Sequence, residues 1–400
     1  MSKSLLSRKL QNMSESATIE MAQKARDLKS KGIDVISLSL GEPDFDTPDY
    51  IKEVAKNALD AGHTKYTPVP GIMELRKAIC HKLKRDNNLD YQPTQIVVSN
   101  GAKQSIANVC LALLDPGDEV IIFTPYWVSY FEIVKFAGGK PVPLFAGIES
   151  EFKVKPEQLI QTITDKTKLI IYSSPSNPTG SVYTQSELDG LAEVISNHKD
   201  LFVMSDEIYE YINFSGKNPS IANCDGMKDR TIIINGMSKG FAMTGWRLGY
   251  MAAPEWISKA CSKVQGQFTS GANAFGQHAA VAALAEDPSK QDYMKEKYRE
   301  RRELVKSMLD DIDGIQCIEP QGAFYFFPNI SQLFGRSNGQ RIINSANDLA
   351  DILLTEAHVG TVTGDAFGDP NSIRISYATS NERLIEALKR IKNTLSSYKL

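Results

Sequence analysis

Thr231-Ile232-Ile233-Ile234-Asn235-Gly236-Met237-Ser238-Lys239-Gly240 runs three isoleucines together and then breaks at an Asn-Gly pair. An apolar run without alternation marks a strand buried on both faces, the habit of a mostly parallel sheet covered by helices. The polar tail sets Lys239 just past the C-terminal end of that strand, where open α/β sheets collect their ligands. A lysine among small residues at a strand end also fits an ordinary surface lysine, so the flanking sequence has to decide.

Outward from this run, short β-branched segments alternate with helical patterns. The strands are expected at residues 95–99, 119–123, 169–173, 201–205, 231–235 and 247–252. Helices are expected at 48–60, 71–85, 102–114, 127–136, 186–196 and 254–265. This order predicts an α/β fold with a large domain whose mostly parallel sheet is flanked by helices. Beyond about residue 290 the pattern changes to a long charged helix (291–311), strand candidates at 315–318 and 323–328, and a last helix around 380–397. These form a smaller α+β domain. An N-terminal helix ending near Gly32 and a strand at 35–40 are expected to join it, making it discontinuous. The expected division is 1–45 for the arm and part of the small domain, 46–290 for the large domain and 291–400 for the small domain.

At 400 residues the chain exceeds the roughly 250–300 residues one core sustains, in line with two domains. A formal net charge of −3 argues against a broad nucleic-acid surface. The basic residues at 295–297 and 299–302 fit a solvated helix face. Five scattered cysteines with no CxxC pair predict free thiols in a reducing compartment. Five histidines without metal-ligand spacing give no metal site. No stretch approaches the ~20 apolar residues of a membrane span, and no signal-like core opens the chain. A cytoplasmic enzyme is expected.

Polar residues after the other strands supply the remaining candidates. Asn100-Gly101-Ala102-Lys103 opens a helix and could turn backbone N–H groups toward a phosphate, although ordinary strand–helix turns look alike. Ser174-Pro175-Ser176-Asn177-Pro178-Thr179-Gly180 holds Asn177 between prolines, which restrict its backbone; a plain proline loop is the alternative. Asp206 follows the fourth strand and Tyr209 comes three residues later, a helical turn that would aim both into one cleft. Asp206 could equally cap a helix. In Thr244-Gly245-Trp246-Arg247-Leu248-Gly249, the planar fork of Arg247 suits a phosphate. No Gly-x-Gly-x-x-Gly or P-loop appears after any strand, which counts against a dinucleotide-dependent dehydrogenase.

These motifs, with Gly41-Glu42-Pro43-Asp44 and Arg374-Ile375-Ser376-Tyr377-Ala378 in order around them, resemble the class I aminotransferases of pyridoxal-phosphate fold type I. The resemblance runs from Ser16 to Ser380, and its most specific part is Ser238-Lys239 with Met243 through Gly249. It implies pyridoxal 5′-phosphate as cofactor, joined to Lys239 as a Schiff base. Lys239 would then move the proton between the substrate α-carbon and the cofactor. Asp206 would keep the pyridine nitrogen protonated, so that the ring acts as an electron sink. Asn177 and Tyr209 would bond the ring oxygen, and Trp127 would stack on the ring against cofactor and substrate. Arg247, Ser238 and the backbone at Gly101, Ala102 and Lys103 would hold the phosphate. Tyr66 would reach the neighbouring subunit's phosphate, implying a homodimer. Arg374 would fork onto the substrate α-carboxylate, assisted by Asn177 and the Gly41 backbone.

For the substrate, Gln265–Phe275 lacks the arginine that familiar aspartate aminotransferases take from the partner subunit. Another subgroup places a lysine at Lys103 with small hydroxyl residues at Ser16 and Thr18, and this sequence shares that combination and the run Pro125-Tyr126-Trp127-Val128-Ser129-Tyr130. The expected reaction is transamination of L-aspartate with 2-oxoglutarate. Glutamate/aspartate–prephenate transamination is the alternative, alone or as a second activity. A β-lyase would not need the distal-carboxylate residues. A non-catalytic regulator would need a DNA-binding domain that the roughly 30 residues before the first strand cannot supply.

Overall fold

The computed structural model describes residues 5–11, 13–15 and 17–400. β1 (Ile36–Ser37) precedes the large sheet, formed by β2 (Ile96–Ser99), β3 (Glu119–Thr124), β4 (Lys140–Phe145), β5 (Thr167–Ser173), β6 (Phe202–Asp206), β7 (Thr231–Gly236) and β8 (Gly249–Ala252). The strands lie in the order β2-β8-β7-β6-β5-β3-β4. Pairs among β3, β4, β5, β6 and β7 are parallel, and β8 runs antiparallel to both of its neighbours.

The isoleucine run shows why this sheet needs helices on both sides. Ile232 and Ile234 pack with Val120, Ile122, Leu169 and Ile171 against the helices Ala102–Leu113 and Glu255–Phe268. Ile233 turns the other way, toward the helices Asp49–Asp60, Met73–Asn87 and Ala274–Ala285. All three isoleucines are fully buried, and each such side chain stabilises the fold by about 1.5–3 kcal/mol.

After the large sheet come β9 (Tyr325–Phe326), β10 (Val359–Gly360), β11 (Val362–Thr363) and β12 (Ile373–Ser376). β11, β12 and β9 form an antiparallel sheet that shares one core with the helices Asp292–Asp310, Ala346–Thr355 and Asn381–Ser396. β1 joins this part of the molecule by pairing parallel with β10. Leu38 and Ser376 are linked through their backbones, and Arg301 forks onto Asp44 with two bonds of 2.7 Å. The segment 38–44 is thereby carried to the C-terminal edge of the large sheet.

Several sequence expectations change. Residues 315–318 form no strand; only a single bridge joins Gln316 to Asn329. The helix expected from Trp127 begins at Ser129, and the segment from Asp206 to Tyr209 is a tight turn rather than a helical one. Arg301 and Arg302 are buried instead of solvated, because Asp44, Glu319 and the Pro320 carbonyl receive their guanidinium groups. Arg247 lies ahead of β8 in a left-handed conformation, φ 55°. Three cysteines are buried and two half-buried, all as free thiols.

Candidate active site

Parallel pairing sets the C-terminal ends of β5, β6 and β7 side by side at Ser173, Asp206 and Gly236. β8 starts at this same edge, with Ser99 of β2 opposite Gly249. A cleft of about 360 Å³ opens there between the sheet edge, the segment 40–42 and β9 and β12.

Lys239 projects into this cleft, and its Nζ donates to the Gly41 carbonyl at 2.5 Å. Burial lowers its ammonium to about 8; Arg374 and Arg247 push the same way, while Glu42 and Asp206 partly oppose them. Burial likewise raises the Asp206 carboxyl to about 6, against hydrogen bonds from Tyr130 and the Ile208 amide and the charge of Lys239. An amine that is readily neutral thus shares the cleft with a carboxylate that is readily protonated, the pattern of a proton-handling site. Tyr209 shares a 2.7 Å hydroxyl–hydroxyl bond with Tyr325, and burial holds the Tyr209 phenol well above its usual range.

One end of the cleft is built for an anion. The helix Ala102–Leu113 points its N-terminus there after Gly101, φ 83°. A Cβ on Gly101 would lie 2.4 Å from Arg247 Nη2, and one on Gly249 would lie 2.2 Å from the Ala102 nitrogen. Glycine is what lets the helix start, β8 and the arginine come this close. Helix dipole, Arg247 and Lys103 together give the site positive charge. Lys103 lies over the Trp127 ring, 4.9 Å from its centroid, and its ammonium is lowered by burial first and by Arg247 second.

Arg374 enters from β12. Its Nη1 donates to Asn177 Oδ1 at 2.9 Å and its Nη2 to the Ser39 carbonyl at 2.6 Å, while the Tyr325 ring lies 4.6 Å from its guanidinium carbon. The side chain is buried, its Nε has no hydrogen-bond partner, and no carboxylate pairs with it among the described residues. A buried cation without a counter-ion is costly, so this position calls for an anionic ligand.

Of the expected site residues, Lys239, Asp206, Tyr209, Ala102, Lys103, Trp127, Asn177, Ser238, Arg247, Arg374, Gly41 and Thr18 all line the cleft, and Gly101 lies against Arg247. Gly41 meets Lys239 through its carbonyl. Ser16 falls outside the described residues. Tyr66 is almost fully exposed and does not line the cleft. Residues without an assigned role in the sequence also appear: Tyr325, Tyr130, Glu42 and Thr244, the last donating to Glu42. Glu42, Tyr130 and Thr244 had a signal, by falling inside motifs already singled out, whereas Tyr325 had none.

Comparison with known proteins shows the family. Residues 33–391 match the family model of aminotransferase class I and II. A bifunctional aspartate aminotransferase and glutamate/aspartate-prephenate aminotransferase of Petunia hybrida is 47% identical over 399 residues, covering 98% of this chain and 83% of that protein. The crystal structure of the aspartate aminotransferase from Rhizobium meliloti superposes with a TM-score of 0.96 at 39% identity, covering 99% of this chain and all of that one. Aspartate aminotransferase from Thermus thermophilus with maleate gives a TM-score of 0.91 at 40% identity, covering 97% and 99%. Matched over nearly its whole length by the family model and by these relatives, the chain belongs to the class I and II aminotransferases.

Proposed function

We propose that this chain transfers the amino group of L-aspartate to 2-oxoglutarate, giving oxaloacetate and L-glutamate. The observation that carries the reading is the buried Arg374 without a counter-ion among the described residues, in the same cleft as Lys239 and Lys103. Two cationic side chains are thus available for the two carboxylates of an amino dicarboxylic acid. The Petunia relative is named for aspartate, and the Thermus neighbour was solved with maleate, a dicarboxylate. The Petunia relative's name also motivates glutamate/aspartate–prephenate transamination as a second reading.

The cofactor of the family is pyridoxal 5′-phosphate, which supplies a conjugated ring able to withdraw electrons from the substrate α-carbon. The cleft fits it in three respects. The Gly101 cradle at Arg247 and the helix start suit its phosphate. The Asp206 carboxylate suits a pyridinium nitrogen, and the lowered Lys239 amine suits bond formation with an aldehyde. In this reading Asn177 and Tyr209 bond the ring oxygen, Trp127 stacks on the ring, and Ser238 and the Ala102 and Lys103 backbone assist Arg247.

Lys239 acts as the base that takes the proton from the substrate α-carbon. Arg374, with Asn177, fixes the α-carboxylate and so orients the bond to be broken. Lys103 and Thr18, with Ser16, take the distal carboxylate. Movement of residues 291–400 with the segment 1–45 against 46–290 would exclude water, a division supported by the β1–β10 pairing. Exposed Tyr66 would complete the site of a second subunit in a homodimer, and the five free cysteines favour the cytoplasm.

The test is a panel of amino donors and oxo acids that includes prephenate, run on wild type and Lys103→Ala. The substitution is expected to raise KM for dicarboxylic substrates about tenfold or more while leaving monocarboxylic ones nearly unchanged. Equal losses in both classes contradict the role of Lys103.

A further inference from the structure

The Asp206 carboxylate receives one hydrogen bond on each oxygen. Oδ1 accepts from the Ile208 amide at 3.2 Å, a bond made within its own turn. Oδ2 accepts from the Tyr130 hydroxyl at 2.5 Å, across 76 residues of sequence. Tyr130 comes from the first turn of the helix Ser129–Ala137, is 1% exposed, and meets Trp127 edge to face with ring centroids 5.4 Å apart. Its ring belongs to a cluster that a phenylalanine would fill as well. The hydroxyl has to be desolvated to stand there, and Asp206 compensates it.

We propose that Tyr130 is a positioning residue for Asp206, its hydroxyl fixing the carboxylate so that the ring nitrogen of pyridoxal phosphate is met in one orientation. The role rests on the cofactor assignment made above. The titratable groups facing Asp206 are Tyr130 from this helix, Lys239 from the loop after β7, and Tyr209 from its own turn. Burial and the Asp206 charge hold the Tyr130 phenol well above its usual range, so it stays a neutral donor across the working pH. A neutral donor favours the ionised carboxylate without adding a positive charge that would repel a pyridinium. Tyr130→Phe removes one of the interactions that hold the Asp206 carboxyl down. The carboxyl then rises above about 6 and becomes protonated nearer neutral pH.

The experiment titrates apo wild type and Tyr130→Phe with pyridoxal phosphate at several pH values, following cofactor absorbance, with thermal melts to confirm folding. Tyr130→Phe is expected to weaken binding about tenfold near pH ~6 and much less near pH ~8.5, moving the acidic limb of the binding profile upward. An analogue with carbon in place of the ring nitrogen should show no such pH-dependent gap. Equal profiles for the two proteins, or a loss of the same size at every pH and with both ligands, overturn the positioning role alone. A wild-type chain that takes up no pyridoxal phosphate overturns the cofactor assignment as well.

Discussion

Burial raises the Asp206 carboxyl and lowers the Lys239 amine, and each shift costs stability where the charged form dominates. The Asp206 carboxyl is raised from 3.8 to about 6, so the unfolded chain releases that proton first and stability falls as pH rises through this window. The Lys239 amine is lowered from 10.5 to about 8, so its destabilisation is full below pH 8 and fades as pH rises toward 10.5. Cofactor-free Lys239→Met should therefore be more stable than wild type at pH ~7, by about 1–2 kcal/mol, and should lose that advantage as pH rises above about 8. Thermal melts across pH check this, and a less stable variant at neutral pH contradicts it. Lys239, Asp206 and Asn177 were legible in the sequence because each follows a recognisable strand, whereas Arg374, on the unexpected strand β12, stood out only through the resemblance of its motif. Tyr130 and Tyr325 were not given roles, since the partners that define them, Asp206 and Tyr209, lie 76 and 116 residues away.

At the scale of elements, the anion end of the cleft depends on how closely the start of the helix Ala102–Leu113 approaches β8 and Arg247. Gly101→Ala puts a side chain on a backbone with φ 83° and drives it against Arg247. A stability loss of about 1–3 kcal/mol is expected, with cofactor binding weakened at least about tenfold. Melts and cofactor titration measure the two effects, and unchanged affinity would remove Gly101 from the phosphate cradle. Six of the seven strands of the large sheet could be read from their apolar runs. β4 could not, because Pro141 and Pro143 argue against a strand, yet an edge strand tolerates them. The helix Ala274–Ala285 was missed for the opposite reason. Its alanine-rich sequence has little polar face to reveal a period, being buried on much of its surface.

Across the whole molecule, the site exists only because distant segments converge on one sheet edge. Gly41 arrives through the pairing of β1 with β10 and the Arg301–Asp44 fork, and Arg374 arrives on β12. The order of motifs signalled this convergence. The burial of Arg301 and Arg302 was hidden, since a helix pattern cannot show which charged face meets a carboxylate from another segment. On the proposed function, Lys239 makes this cleft a pyridoxal-phosphate site with L-aspartate as amino donor. Visible absorption of the reconstituted protein tests it most directly. Wild type should show a cofactor band that moves with pH, changes on adding L-aspartate and returns with 2-oxoglutarate, while Lys239→Ala should lack the pH-dependent band. A wild-type protein without the band, or one indifferent to both aspartate and the loss of Lys239, would overturn the role of Lys239 in this cleft.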